Sequence, residues 1–149
     1  MTILQKITGH KKIQQILRDK RFQKYEKWVI LAFWLAAIFY LSSKSLGFVV
    51  YIDWWEYLIR KLAHMFEFGV LAFLLFRILG QTEKRHVNWN LFWAFAFTVM
   101  YSISDEYHQT FVPGRTGTYT DVLIDSVGAL VAIWLIYLNY QHKKRLKLK

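Results

Sequence analysis

Residues 28–43 read WVILAFWLAAIFYLSS, sixteen positions without a charged side chain. Three further stretches resemble it: 62–79 (LAHMFEFGVLAFLLFRIL), 89–104 (WNLFWAFAFTVMYSIS) and 122–140 (VLIDSVGALVAIWLIYLNY). A helix that crosses a bilayer needs about 20 predominantly apolar residues, with roughly 17–25 the usual range. The two shorter stretches gain a turn at the interface from Tyr25–Trp28 and Tyr101–His108. Apolar residues cover every face of these segments, whereas a soluble bundle would show one apolar stripe per helix. Trp28, Tyr40, Trp89, Tyr101, Tyr137 and Tyr140 stand near the ends, where amphipathic rings settle at a membrane interface. The reading is an all-α polytopic membrane bundle of four transmembrane helices.

The rest of the 149 residues fits that frame. The chain is 55% hydrophobic and 19% aromatic but carries 20 Lys and Arg against 10 Asp and Glu. The absence of cysteine excludes a disulfide scaffold, a thiolate metal site and a cysteine nucleophile. The apolar content excludes a disordered basic tail. The first stretch begins too late for a signal peptide and has no small-residue cleavage site after it, so it is read as a retained helix. Three segments follow: a basic tail or in-plane helix over 1–27, the transmembrane domain over 28–140 and a basic tail over 141–149.

Basic residues on cytoplasmic loops set orientation. Only Lys44, Arg60, Lys61 and Arg115 fall on one side of the expected bundle; the other 16 of the 20 fall on the opposite side. Both termini are therefore expected in the cytoplasm. Asp53, Glu56, Glu67, Asp105, Glu106, Asp121 and Asp125 run the other way, to the outer side. The positive charge then faces anionic inner-leaflet lipids, at about 1 kcal/mol per basic residue, and not nucleic acid. Ile3, Leu4, Ile7, Ile13, Ile16 and Leu17 recur at helical spacing in the N-terminal tail, the pattern of an amphipathic helix lying on the inner surface. A solvated tail is the alternative.

Ionisable groups inside spans cost roughly 2.5–3.5 kcal/mol each near a helix centre, and here they cluster. Lys61, His64 and Glu67 share one face of the second helix. Asp105, Glu106, His108 and Gln109 end the third. Asp121 and Asp125, four apart, begin the fourth. At about 1.5 Å per residue, Glu67 and Asp125 lie roughly 5–8 Å below the outer boundary. That is a shallow outward-facing cup with no relay deeper in the bilayer. Arg115 follows Pro113-Gly114, the two central residues of an expected type II turn, in a loop able to turn it towards the carboxylates. Thr118 and Asp121 approximate a capping box. Each residue also has a plainer role: Asp121 as a first-turn acid, His108 and Gln109 as interface residues, Lys61 as a flanking charge, and the whole set as a structural ion-pair network.

Four runs carry a resemblance to the VanZ-like family of small bacterial membrane proteins. They are RKLAHMFEFG from Arg60, SDEYHQ from Ser104, FVPGR from Phe111 and DVLIDSVG from Asp121. They parallel the family patterns K-x-x-H, S-D-E-x-H-Q-x-F-x-P-G-R and D-x-x-x-N-x-x-G between about Ser42 and Tyr140. The chain departs from these at Asp125, where the family often has Asn, and at Phe68, where it has Tyr. The resemblance implies a small multi-helix membrane fold and a link to teicoplanin-type glycopeptide resistance at the cell envelope.

Three functions follow as expectations. In the first, the cup binds an anionic headgroup, a lipid-linked wall precursor or a glycopeptide-related ligand. Arg115 and Lys61 contact the anion, and His64, Glu67, Asp105 and Asp125 hold Arg115; Glu106, His108, Gln109 and Asp121 complete the lining. In the second, the chain is a membrane-embedded enzyme on a phosphate-bearing lipid substrate, with Glu67, Asp105, His64 and His108 as candidate acid–base groups. His64 with Glu67, and Glu106 with His108, would be candidate ligands of zinc, manganese or iron, although the chain has no HExxH, GxSxG or P-loop motif. In the third, it is a non-enzymatic partner subunit. Small residues at Ala32 and Ala36, Gly69 and Ala72, and Gly128 and Ala132 would let helices approach closely.

Overall fold

The computed structural model describes residues 20–44, 53–80 and 86–148. These form four α-helices: α1 (Lys20–Ser42), α2 (Trp54–Leu79), α3 (Val87–Gln109) and α4 (Tyr119–Leu146). Successive helices run antiparallel. The end of α1, the start of α2, the end of α3 and the start of α4 therefore meet at one end of the bundle, called here the polar end. The in-plane helix expected within 1–27 lies mostly outside the described residues.

Each helix outruns its apolar stretch. Helix α2 starts at Trp54, two turns before Leu62, so Arg60 and Lys61 are helical. Helix α4 continues through the basic run to Leu146, with Lys143, Lys144 and Arg145 in its last turn, where cations favour the helix dipole. Among the described residues, three helices are long and apolar enough to cross a membrane: α1 from Tyr25 to Ser42, α2 and α4. Of the four spans expected, these three have the length and apolarity of a crossing helix. Helix α3 has 23 residues, but Asn88 and Asn90 at one end and the run from Ser102 to Gln109 at the other lower its apolarity.

The distribution of residues is inverted relative to a water-soluble bundle. Large apolar side chains face outward, among them Phe33, Phe66, Phe97, Leu123 and Trp134. At the polar end the buried set is mostly hydrophilic: Ser42, Ser102, Asp105, Glu106, Gln109 and Asp125, with Val112 beside them. Such an arrangement is stable where the surrounding solvent is hydrocarbon and polar groups find their partners inside. Most of the expected interface rings are exposed, Trp28, Tyr40, Trp89, Tyr137 and Tyr140 among them. Tyr101 is not: it turns inward and donates to the Leu35 carbonyl at 2.9 Å.

The apolar core packs Leu31 and Ile38 of α1 against Phe68, Leu71, Leu74 and Ile78 of α2, with Trp34 and Tyr101 alongside. Trp34 Nε1 donates to the Glu67 carbonyl at 3.0 Å. The most extensive contact joins α2 and α4, and glycine makes it close. A Cβ on Gly128 would overlap the Met65 backbone, and one on Gly69 would stand 3.2 Å from the Gly128 carbonyl oxygen. Gly69, Ala72 and Gly128 therefore pack this chain internally, whereas Ala32 and Ala36 lie on an exposed face of α1.

Candidate functional site

The polar end is organised by the short α3–α4 connection. Gly114 has φ 80° and the Arg115 amide donates to the Val112 carbonyl at 3.0 Å, which gives the type II turn expected of Pro-Gly. The turn directs Arg115 across the bundle to the end of α1. There Nε donates to the Lys44 carbonyl at 3.0 Å and Nη2 to the Leu41 carbonyl at 3.0 Å. Nη1 donates to Gln109 Oε1 at 3.3 Å. The guanidinium thus bonds carbonyls at and just past the end of α1, where the intrahelical ladder runs out; that of Leu41 also accepts from the Lys44 amide at 3.2 Å. Burial lowers its pKa from the usual value and Arg60 adds to this, while Asp105, Glu106 and Glu67 act in opposition.

The expected clasp of Arg115 by four acidic and imidazole side chains is therefore corrected. Its hydrogen bonds run to neutral oxygens, and Asp105, Glu106, Asp121 and Asp125 are engaged by other donors. Asp105 Oδ2 accepts from Ser42 Oγ at 2.7 Å and from Gln109 Nε2 at 3.0 Å. Glu106 accepts from Gln109 Nε2 at 3.2 Å and from the Thr118 amide at 3.0 Å. Asp125 Oδ2 accepts from Ser102 Oγ at 2.7 Å. Lys61 pairs with Asp121. Gln109 is the hub, since its amide donates to two carboxylates while its carbonyl receives Arg115. These bonds offset the desolvation of carboxylates that are almost fully enclosed, Asp105 at 4% and Asp125 at 1% exposure.

Glycine has a second role here. A Cβ at Gly117 would overlap the Glu106 carbonyl, so the absence of a side chain lets the loop descend and place the Thr118 amide on Glu106. Thr118 then caps α4, its hydroxyl accepting from the Asp121 amide at 3.4 Å. This is half of the expected capping box.

Above the buried carboxylates lies a cavity of about 420 Å³. Lys61, His64, Glu67, Gln109, Arg115 and Asp121, all singled out in the sequence, line it together with Lys44, Tyr57, Arg60, Gly114 and Thr116. Cations outnumber acids on this wall: Lys44, Arg60, Lys61 and Arg115 against Glu67 and Asp121. Arg60 also pairs with Glu56 one turn earlier.

Four candidate residues do not line the cavity: Asp105, Glu106, Asp125 and His108. Asp125 sits beneath the cavity, its Oδ1 3.6 Å from His64 Nδ1. His108 is turned towards α1, with Nε2 3.0 Å from Ser43 Oγ and its ring 4.5 Å from that of Phe39. Sequence spacing pairs His64 with Glu67 and Glu106 with His108 as candidate metal ligands; the helices gather a different set. The group of potential ligands among the described residues is His64, Glu106 and Asp125, one from each of α2, α3 and α4. Glu67 and His108 are not in it; His108 faces Ser43 and Phe39.

Three serines that sequence spacing does not single out, Ser42, Ser43 and Ser102, bond to site residues. Ser42 and Ser43 end the first apolar stretch, and Ser102 lies within a turn of Asp105 and Glu106, so their positions carried a signal. The carbonyls of Leu41 and Lys44 carried none, being backbone.

The sequence model of one family, VanZ/LLP1, matches residues 7–140. No curated protein and no solved structure matches the chain significantly.

Proposed function

From the premise that the chain belongs to the VanZ/LLP1 family, whose resemblance carries the link to teicoplanin-type resistance, we propose that it is a bacterial envelope membrane protein whose polar end faces outward and holds an anionic headgroup, that of a membrane lipid or of a lipid-linked wall precursor. The observation that carries this reading is the excess of basic side chains on the cavity wall, set beside apolar helix surfaces on which a lipid tail can lie. Lys61 and Arg60 offer point and planar charges at its rim. Arg115 uses three of its five N–H groups on Lys44, Leu41 and Gln109; a guanidinium keeps a further N–H on each terminal nitrogen for a phosphate. Orientation rests on the basic tails, which favour the cytoplasmic side.

The test is teicoplanin susceptibility of a strain producing Lys61→Met or Arg60→Gln at the wild-type protein level. The expected result is loss of protection in both, with weaker binding of phosphatidylglycerol or polyprenyl-phosphate vesicles by the purified proteins. Unchanged protection and unchanged binding overturn the reading.

A second reading, a membrane-embedded enzyme on a phosphate-bearing lipid, is favoured by one observation. His64 and Asp125 bring an imidazole and a buried carboxylate together beside the cavity, a pairing suited to proton transfer. Release of phosphate from such a lipid by the wild type but not by Asp125→Asn supports it.

A further inference from the structure

Beneath the cavity, three helices each contribute one potential ligand to the same point. His64, Glu106 and Asp125 offer a nitrogen and two carboxylate oxygens within 4.8 Å of one another. His64 Nδ1 and Asp125 Oδ1 are both enclosed and have no hydrogen-bond partner among the described residues. Asp125 itself is 1% exposed. A buried carboxylate oxygen and a ring nitrogen without partners are costly, yet here they face each other. Their separation is 3.6 Å, longer than a hydrogen bond. It is close to the spacing of about 3.4 Å between two ligands bound tetrahedrally at roughly 2.1 Å.

The surroundings orient these atoms as the outer shell of a metal site does. Ser102 Oγ holds Asp125 Oδ2 at 2.7 Å, which leaves Oδ1 to face His64. The Thr118 amide holds Glu106 Oε2 at 3.0 Å, and Gln109 holds Oε1 at 3.2 Å. Two carboxylates and a neutral imidazole match the charge of a dication. We propose that His64, Glu106 and Asp125 bind one divalent transition-metal ion of the zinc, manganese or iron(II) class, the mixed nitrogen and oxygen donor set being suited to these. Three protein ligands leave a further position for water or for the oxygen of a ligand, as open metal sites do. His64 also lines the cavity, so that position communicates with the space an anionic headgroup would enter. The site stands apart from the headgroup reading, because the metal binds whether or not a lipid follows.

The experiment uses the full chain in detergent, purified without a polyhistidine tag, stripped with chelator and titrated with Zn²⁺ or Mn²⁺ alone. Elemental analysis after gel filtration is expected to find one ion per chain and a rise in melting temperature. His64→Gln and Asp125→Asn should abolish both effects. Ser102→Ala, which keeps all three ligands, should weaken binding by about 10-fold or more, and it keeps the test informative if either ligand variant fails to fold. A wild type that takes up neither metal overturns the proposal. So does uptake that survives in His64→Gln and Asp125→Asn, or binding by Ser102→Ala that equals the wild type's.

Discussion

Replacing Arg115 by lysine keeps the charge and removes the fork. In the structure three different guanidinium nitrogens reach three acceptors, on Lys44, Leu41 and Gln109. A single ammonium cannot cover all three, so about two of the bonds are lost. Hydrogen bonds made by charged groups contribute about 1.5–3 kcal/mol each. Arg115 is only partly buried, so water replaces some of that loss, and roughly half of the gross value, about 1.5–3 kcal/mol in total, is retained as net destabilisation. For a chain of this size, each kcal/mol lowers the melting temperature by about 2–4 °C. Arg115→Lys should therefore melt about 3–12 °C below the wild type in detergent, followed by circular dichroism. Arg60→Lys is the control. Its ion pair with Glu56 is an exposed one-turn contact, worth about 0.5 kcal/mol or less, so its melting temperature should barely move. Equal stability of Arg115→Lys and wild type, or an equal loss in Arg60→Lys, would refute the claim that Arg115 ties the α3–α4 loop to the end of α1.

Two further outcomes follow from the packing and the charge distribution. Gly128→Ala places a methyl group into the Met65 backbone and should destabilise by about 1–3 kcal/mol. Gly69→Ala meets a neighbour only at 3.2 Å and should cost less, so a reversed order of melting temperatures contradicts the α2–α4 geometry. Because the chain has no cysteine, orientation can be read from single replacements at exposed sites. On intact cells a membrane-impermeant maleimide should label Thr116→Cys and leave Leu148→Cys untouched. The opposite labelling removes the outward-facing cavity.

Much of the polar end was legible in the chain because burying ionisable groups in apolar helices is expensive. His64, Glu67 and Asp125 stand out inside hydrophobic runs, and Pro113-Gly114 announces its turn through backbone chemistry alone. Helical spacing also placed Lys61 beside His64 and Asp105 beside Gln109. Local spacing failed wherever the partner came from another helix. Nearness in sequence groups His108 with Glu106, but its ring faces Phe39 of α1 and Ser43 just after it. Charge alone matches Arg115 with carboxylates, whereas the end of α1 offers it carbonyls.

The sequence by itself determined that the chain forms long apolar helices, where the third turns into the fourth and which end collects the polar groups. These follow from hydropathy, glycine and proline, which act over a few residues. Only the tertiary structure decided which donors meet which acceptors: Ser42 with Asp105, Ser102 with Asp125, Lys61 with Asp121, and His64 opposite Asp125. The rotation of one helix about its axis relative to its neighbours fixes those pairings. That rotation is set by packing, here by the close approach of Gly69 and Gly128, and no spacing within a single helix encodes it.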